Sequence, residues 1–224
     1  IVDKWSKTKM ALKNGIDLVI ELPVLYSISS AENFADGAIK ILNSLGIVDY
    51  LSFGAETSDI SILNNIANIL CSEHEEYKNL LSIELEKGLS FPKARENALL
   101  DYIKNTDDNV PENRIIDFEK YSKVLSSPNN ILGIEYLKAL KKYKSSIKPV
   151  CISRFATDYN STKLSKIENS TSNCNPQNFA SATAIRKLIK NKNFDTIKNV
   201  IPLESYSILI DCINSGCVAP DLNC

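Results

Sequence analysis

Apolar positions along the chain fall into two patterns, short continuous runs and helical stripes, and the two alternate. Asp17-Leu18-Val19-Ile20-Glu21-Leu22, stopped by Pro23, is a run with β-branched residues at its centre, the pattern of a strand buried on both faces of a parallel sheet. Tyr50-Leu51-Ser52-Phe53 and Pro149-Val150-Cys151-Ile152-Ser153 read as two further strands. Helical stripes lie between them. Ser6 to Asn14 predicts a helix with Gly15 at its C-terminal end. Ala31 to Leu45 places Phe34, Ala35, Ala38, Ile41, Leu42 and Leu45 on one stripe, and Gly46 ends it. Ser58 to Lys87 is helical by pattern, with a partner from Pro92 to Lys104, whereas Asn105 to Tyr121 shows no clear period. Pro128 sits where a first helical turn begins, ahead of the apolar face of Ile131, Leu132, Tyr136, Leu137 and Leu140. After the polar stretch Thr157 to Asn178, helices are predicted at Ser181 to Asn191, Phe194 to Val200 and Glu204 to Asn214. Strands separated by helices define an α/β domain with a mainly parallel sheet.

Charge adds little to this picture at the level of the whole chain. Lys and Arg number 26 against 27 Asp and Glu, a net charge of −1, which argues against a surface that binds nucleic acid all over by charge. Cations gather locally, at Lys4, Lys7, Lys9 and Lys13, at Lys138 to Lys148 and at Arg186 to Lys198. The six cysteines form no C-x-x-C pair, and the only histidine, His74, lies in an acidic run. No zinc site is expected from such a set, and the thiols read as reduced and mostly buried, as in a cytoplasmic protein. No segment has the length of a membrane span.

Three places invite chemistry. In a parallel α/β sheet, ligands bind beyond the carboxyl ends of strands. Phe53-Gly54-Ala55-Glu56 puts a glycine just after a strand, where the absent Cβ lets a ligand approach the backbone, although such a glycine also serves as a plain turn residue. Ser126-Ser127-Pro128-Asn129-Asn130-Ile131-Leu132-Gly133 puts two asparagines at a helix start. Simple N-capping explains either one alone; as a pair, one caps the helix and the other holds a ligand amide or hydroxyl. Ser153-Arg154 ends the last strand, and Ser181, Thr183 and Arg186 bring hydroxyls and a guanidinium to the start of a helix. That combination suits phosphate better than it suits a merely capped surface helix. Neither a Walker-type loop nor a G-x-G-x-x-G motif is present, and no nucleophile or general base stands out, so the catalytic residues are unassigned.

Taken in order, Lys4-Trp5-Ser6-Lys7-Thr8-Lys9-Met10-Ala11-Leu12, Gly15-Ile16-Asp17-Leu18-Val19-Ile20-Glu21-Leu22-Pro23, Phe53-Gly54-Ala55-Glu56, Pro128-Asn129-Asn130-Ile131-Leu132-Gly133 and Ser181-Ala182-Thr183-Ala184-Ile185-Arg186 resemble the tRNA(Met) cytidine acetate ligases over about Lys4 to Lys190. The resemblance implies a Rossmann-like nucleotidyltransferase fold with a parallel sheet, helical additions and a missing N-terminal strand. It implies ATP as co-substrate, with Mg²⁺ admitted beside it, and acetate and elongator tRNA(Met) as partners. It implies further that acetate and ATP form acetyl-adenylate, whose acetyl group passes to N4 of the wobble cytidine. By the same resemblance Gly54, Asn129, Arg154 and Phe155 contact ATP, and Ser181, Thr183 and Arg186 lie near its phosphates. The expected layout is an α/β domain over 1–190 and the start of a helical region over 191–224. Family members open with a strand and a His-x-Gly-His-like motif, and this chain is expected to start after it, to stop short of the usual C-terminal extension and to be inactive alone. Two other readings stay open: a different superfamily adenylyltransferase or acetate ligase, including one that acts on protein, and a non-catalytic nucleotide- or RNA-binding remnant.

Overall fold

A computed structural model describes residues 2–57, 59–72, 74–107, 118–153 and 180–216. The chain forms two compact units, one of Leu22–Phe155 and the other of Ile1–Glu21 with Ala156–Cys224.

In the first unit a single turn, α2 (Val24–Ser27), precedes α3 (Ala31–Leu45); α1 (Lys4–Lys13) belongs to the other unit. Ser30 caps α3 by accepting from the Asn33 N–H, and Gly46 closes it at φ 67°, a left-handed conformation that glycine adopts without Cβ strain. The stripe predicted for α3 is shifted: Ala35, Gly37 and Ile39 are buried, while Leu45 lies outside. β1 (Tyr50–Ala55) follows and pairs in parallel with β2 (Lys148–Ser153), from Tyr50 opposite Lys148 to Ala55 opposite Ser153. Between the strands run α4 (Ile60–Ser72), α5 (Glu75–Glu86), α6 (Phe91–Asp107), α7 (Phe118–Leu125) and α8 (Pro128–Lys142). The one helix expected over 58–87 is therefore two. His74 adopts an extended ψ of 144°, and Glu75 and Glu76 then stand in the first turn of α5, where free N–H groups favour carboxylates.

The period-two pattern of β1 points Phe53 and Ala55 into the core and Tyr50, Ser52 and Gly54 outward. Phe53 packs with Ile39 of α3, Leu63 and Ile66 of α4, Leu99 of α6 and Ile134 of α8, the centre of the apolar core. Gly133 lets α8 approach the sheet: a Cβ built there would stand 2.7 Å from Cε2 of Phe53. α3 and α8 run in the same direction and are tied along their length. Lys138 meets Glu32 at 2.9 Å, Lys142 meets Asp36 at 2.6 Å, and the Tyr143 hydroxyl donates to Asp36 at 2.9 Å. Burial pushes the Asp36 carboxyl upward, but the Lys142 and Tyr143 partners outweigh it and leave the carboxyl below its ordinary value. Glu135 is almost fully buried, with Arg95 of α6 2.6 Å from one oxygen and Lys138 2.9 Å from the other.

The second unit holds α1 (Lys4–Lys13), α9 (Ala182–Lys190), α10 (Phe194–Lys198) and α11 (Leu203–Asn214), close to their predicted bounds. α1 rests on α11, where Asn14 Nδ2 donates to Ser205 at 2.9 Å and the Cys212 thiol donates to Ser6 at 3.2 Å. The expected strand at Asp17–Leu22 is a correction: the segment has no ladder partner among the described residues. Leu18, Val19 and Ile20 are 61, 38 and 42 % exposed rather than buried on both faces. Apolar β-branched residues favour an extended backbone, but a strand exists only where its N–H and C=O groups meet a neighbour. The described sheet accordingly has two strands rather than three. Of the three described cysteines only Cys212 is buried, and Cys71 is exposed, against the expectation of mostly buried thiols.

Candidate functional site

The carboxyl end of β1 is locked to the start of α8 by a reciprocal set of hydrogen bonds. Asn130, 2 % exposed, accepts through Oδ1 from the N–H groups of Glu56 at 2.9 Å and Thr57 at 3.1 Å, the first residues past the strand. Its Nδ2 donates to the Val124 carbonyl at 3.3 Å. In return Glu56 accepts from the Asn130 N–H at 2.9 Å and from Asn129 Nδ2 at 2.6 Å. With Pro128 at the first helical position, Asn130 is the third residue of α8, so Glu56 accepts from a free N–H of the first turn. Its negative charge also sits at the positive end of the helix dipole. Neither asparagine caps α8, contrary to the expected division of tasks. The N-cap residue is Ser127, whose hydroxyl donates instead to the Lys123 carbonyl at 2.8 Å, and the capping acceptor arrives from the strand.

Gly54 and Asn129 are thus brought together, two residues and one hydrogen bond removed from Glu56. Gly54 is exposed at the end of its strand, and Asn129 is half-buried, its Oδ1 accepting no hydrogen bond among the described residues. From β2 the Cys151 thiol, raised above its ordinary value by burial, donates to the Thr57 carbonyl at 3.2 Å and ties the second strand to the same turn. One turn on, Asp59 accepts from the Ser61 hydroxyl and from Lys120 of α7 at 2.9 Å. Those bonds, the Ser61 bond first, hold the Asp59 carboxyl down at about 2. Arg154 and Phe155 lie outside the described residues.

Ser181, Thr183 and Arg186 come together in the other unit, on the first turns of α9. Ser181 is the N-cap and accepts from the Ala184 N–H at 3.0 Å. Thr183 is half-buried, and Arg186 is exposed with no acidic partner among the described residues. Glu56 is the site-forming residue that the sequence did not single out, and the role of Asn130 was left open between cap and ligand contact. Both stood inside motifs already noted, but their pairing spans 74 positions and leaves no local signature. Among the described residues no three His, Cys, Asp or Glu side chains gather to hold a metal ion, and no helix is long and apolar enough to cross a membrane.

Parallel strands, a glycine at a strand's carboxyl end and an asparagine-bearing helix start beside it define an α/β fold of the kind that takes ligands beyond the carboxyl ends of its strands. The model of the HIGH nucleotidyl transferases matches residues 1–222, and the chain belongs to that family. It is 48 % identical over 216 residues to the tRNA(Met) cytidine acetate ligase of Caldanaerobacter subterraneus subsp. tengcongensis, covering 96 % of this chain and 48 % of that protein. It is 47 % identical over 209 residues to the ligase of the same name from Clostridium perfringens, covering 93 % of this chain and 48 % of the relative. The chain thus spans about half the length of the curated relatives it matches. Thermotoga maritima TmcAL, crystallised with alpha-thio ATP, superposes with a TM-score of 0.80 at 34 % identity, over 97 % of this chain and 45 % of that one. The apo form of TmcAL gives 0.83, over 96 % and 46 %. The expected nucleotidyltransferase fold and the resemblance to this family are both borne out.

Proposed function

We propose that the chain is part of a cytoplasmic ATP-dependent ligase that acetylates N4 of the wobble cytidine in elongator tRNA(Met). In that reaction an acetate oxygen attacks the α-phosphorus of ATP and pyrophosphate leaves. The cytidine amino group then attacks the acetyl carbonyl of the resulting acetyl-adenylate, and AMP leaves. The names of the relatives and the alpha-thio ATP bound to Thermotoga maritima TmcAL support this reading. The observation that carries it is the lock between Glu56 and the pair Asn129–Asn130, which fixes an exposed strand end beside an amide whose oxygen accepts no hydrogen bond among the described residues.

Electrostatics bears on each unit's expected contacts separately. The Glu56 carboxylate repels phosphate from the start of α8, so Gly54 and Asn129 suit the uncharged nucleoside, with Asn129 Oδ1 accepting from an amino or hydroxyl group. Arg154 and Phe155 join that set by family resemblance. In the other unit Ser181, Thr183 and Arg186, which has no acidic partner among the described residues, suit phosphate by the family resemblance, since Arg supplies charge-assisted hydrogen bonds. A magnesium ion accompanying ATP would take its ligands from phosphate oxygens and water.

Calorimetric titration of ATP into the full-length protein that contains this chain tests the reading. Arg186→Ala removes a charge-assisted bond of roughly 1.5–3 kcal/mol, so affinity falls about tenfold to a hundredfold. Asn129→Ala weakens binding by about tenfold through one lost hydrogen bond. Dissociation constants unchanged in both variants would remove these residues from the ATP site.

A further inference from the structure

We infer that the exposed face of α1 is a single-stranded RNA-docking surface on which Trp5 stacks a base while Lys9 and Lys13 meet phosphates. The inference rests on the tRNA reading above and names where the RNA is held. α1 buries none of its residues, and Trp5 is 74 % exposed. An exposed tryptophan on a helix that already rests on α11 through Ser6 and Asn14 presents an apolar platform to solvent. Trp5, Lys9 and Lys13 recur every four residues and so lie along one side of the helix. Lys4 stands 5.3 Å from the centre of the Trp5 ring and is bridged to Glu21 at 2.8 Å.

Charge decides the kind of partner. In the unit of Leu22–Phe155, Lys78, Lys87, Lys93, Lys120, Lys138 and Lys142 each meet a carboxylate within the unit, whereas Lys40, Lys104, Lys123, Lys141, Lys144 and Lys148 meet none among the described residues. On α1 only Lys4 meets one; Lys7, Lys9 and Lys13 have no acidic partner among the described residues. What sets α1 apart is that its unpaired lysines lie beside an exposed tryptophan. An unneutralised row of ammonium groups beside an aromatic face is complementary to a polyanion that carries stackable rings, which is the chemistry of unpaired nucleotides. A protein partner would find the aromatic face but would have to desolvate the lysines beside it.

The test uses the full-length protein and a hairpin RNA carrying the methionine anticodon loop. Trp5 is the one tryptophan of this sequence, and its emission is isolated as the difference between wild type and Trp5→Phe. The expected result is that iodide quenches Trp5 in the free protein, and that the hairpin alters its emission and shields it. Trp5→Ala weakens hairpin binding about tenfold or more. Lys9→Glu/Lys13→Glu weakens it further and lowers the salt dependence of binding, while ATP affinity stays unchanged. A control pair, Lys40→Glu/Lys144→Glu, binds the hairpin as wild type does. The surface is refuted if wild type acetylates tRNA yet Trp5 is silent and the lysine variants bind normally. It is refuted equally if Trp5 is already shielded from iodide without RNA, whether by the rest of the protein or by a second copy. A wild-type protein that neither binds nor acetylates tRNA defeats the functional reading itself.

Discussion

Asn129 and Asn130 are neighbours in one motif, yet their side chains do different things, and the difference can be measured. Asn130 is enclosed, and its amide holds the turn after β1 through the Glu56 and Thr57 N–H groups. Asn130→Ala leaves those donors and the Val124 carbonyl without their partner at a part-buried site, so urea denaturation should show a loss of about 2–4 kcal/mol. Asn129→Ala should cost less than about 1 kcal/mol of stability, since its bond to Glu56 is exposed to water, and its effect belongs to ATP affinity. Asp59 gives a pH signature. Its carboxyl is held at about 2 against an ordinary 3.8, so its stabilising contribution is complete above about pH 4 and is lost as pH falls through about 2. Because the Lys120–Asp59 pair is partly open to solvent, the contribution stays below about 1 kcal/mol. In melting temperatures taken from pH 5 to pH 2, Asp59→Asn should remove that part of the acid dependence; superimposable curves for the two proteins would refute it. At this scale the sequence showed which motifs matter but not which atom does what. Two adjacent asparagines look alike until Glu56, far away in the chain, selects the backbone N–H of one and the side chain of the other.

The elements were the most legible part. β1, β2, α3, α8 and the three described helices after residue 180 were readable from their apolar pattern, helped at α3 by Ser30 and Gly46, at α8 by Pro128 and at α9 by Ser181. Two readings failed for one physical reason, that local pattern does not contain the partner. Asp17–Leu22 has the composition of a strand but no ladder, and the helical pattern across 58–87 hides the break at His74. The close approach of α8 to β1 also went unread, since the glycine of Pro128–Gly133 looks like a motif residue until Phe53 is seen against it. Gly133→Ala places a methyl 2.7 Å from the Phe53 ring. We expect a loss of about 1–3 kcal/mol from overpacking. Because Phe53 immediately precedes Gly54, ATP affinity should fall along with stability. A Gly133→Ala protein with wild-type denaturation midpoint and wild-type ATP affinity would show that the helix and strand have room to part.

For the whole molecule, the motifs in their order carried the family, and the family model over residues 1–222 agrees. Each motif alone had an ordinary explanation as a turn, a cap or a surface helix; five in the right order did not. The assignment of Arg154 and Phe155 to ATP rests on that resemblance alone, since both residues lie outside the described set. On the proposed reading ATP, acetate and tRNA(Met) meet on the full-length protein. The most direct measurement supplies that protein with labelled acetate, ATP and an elongator tRNA(Met) transcript, then digests the RNA and identifies the labelled nucleoside. The account predicts label on N4 of the wobble cytidine, AMP and pyrophosphate formed in equal amounts, and no label when that cytidine is replaced by uridine. Label that appears on protein rather than RNA, or RNA that stays unlabelled while ATP is consumed, would contradict it.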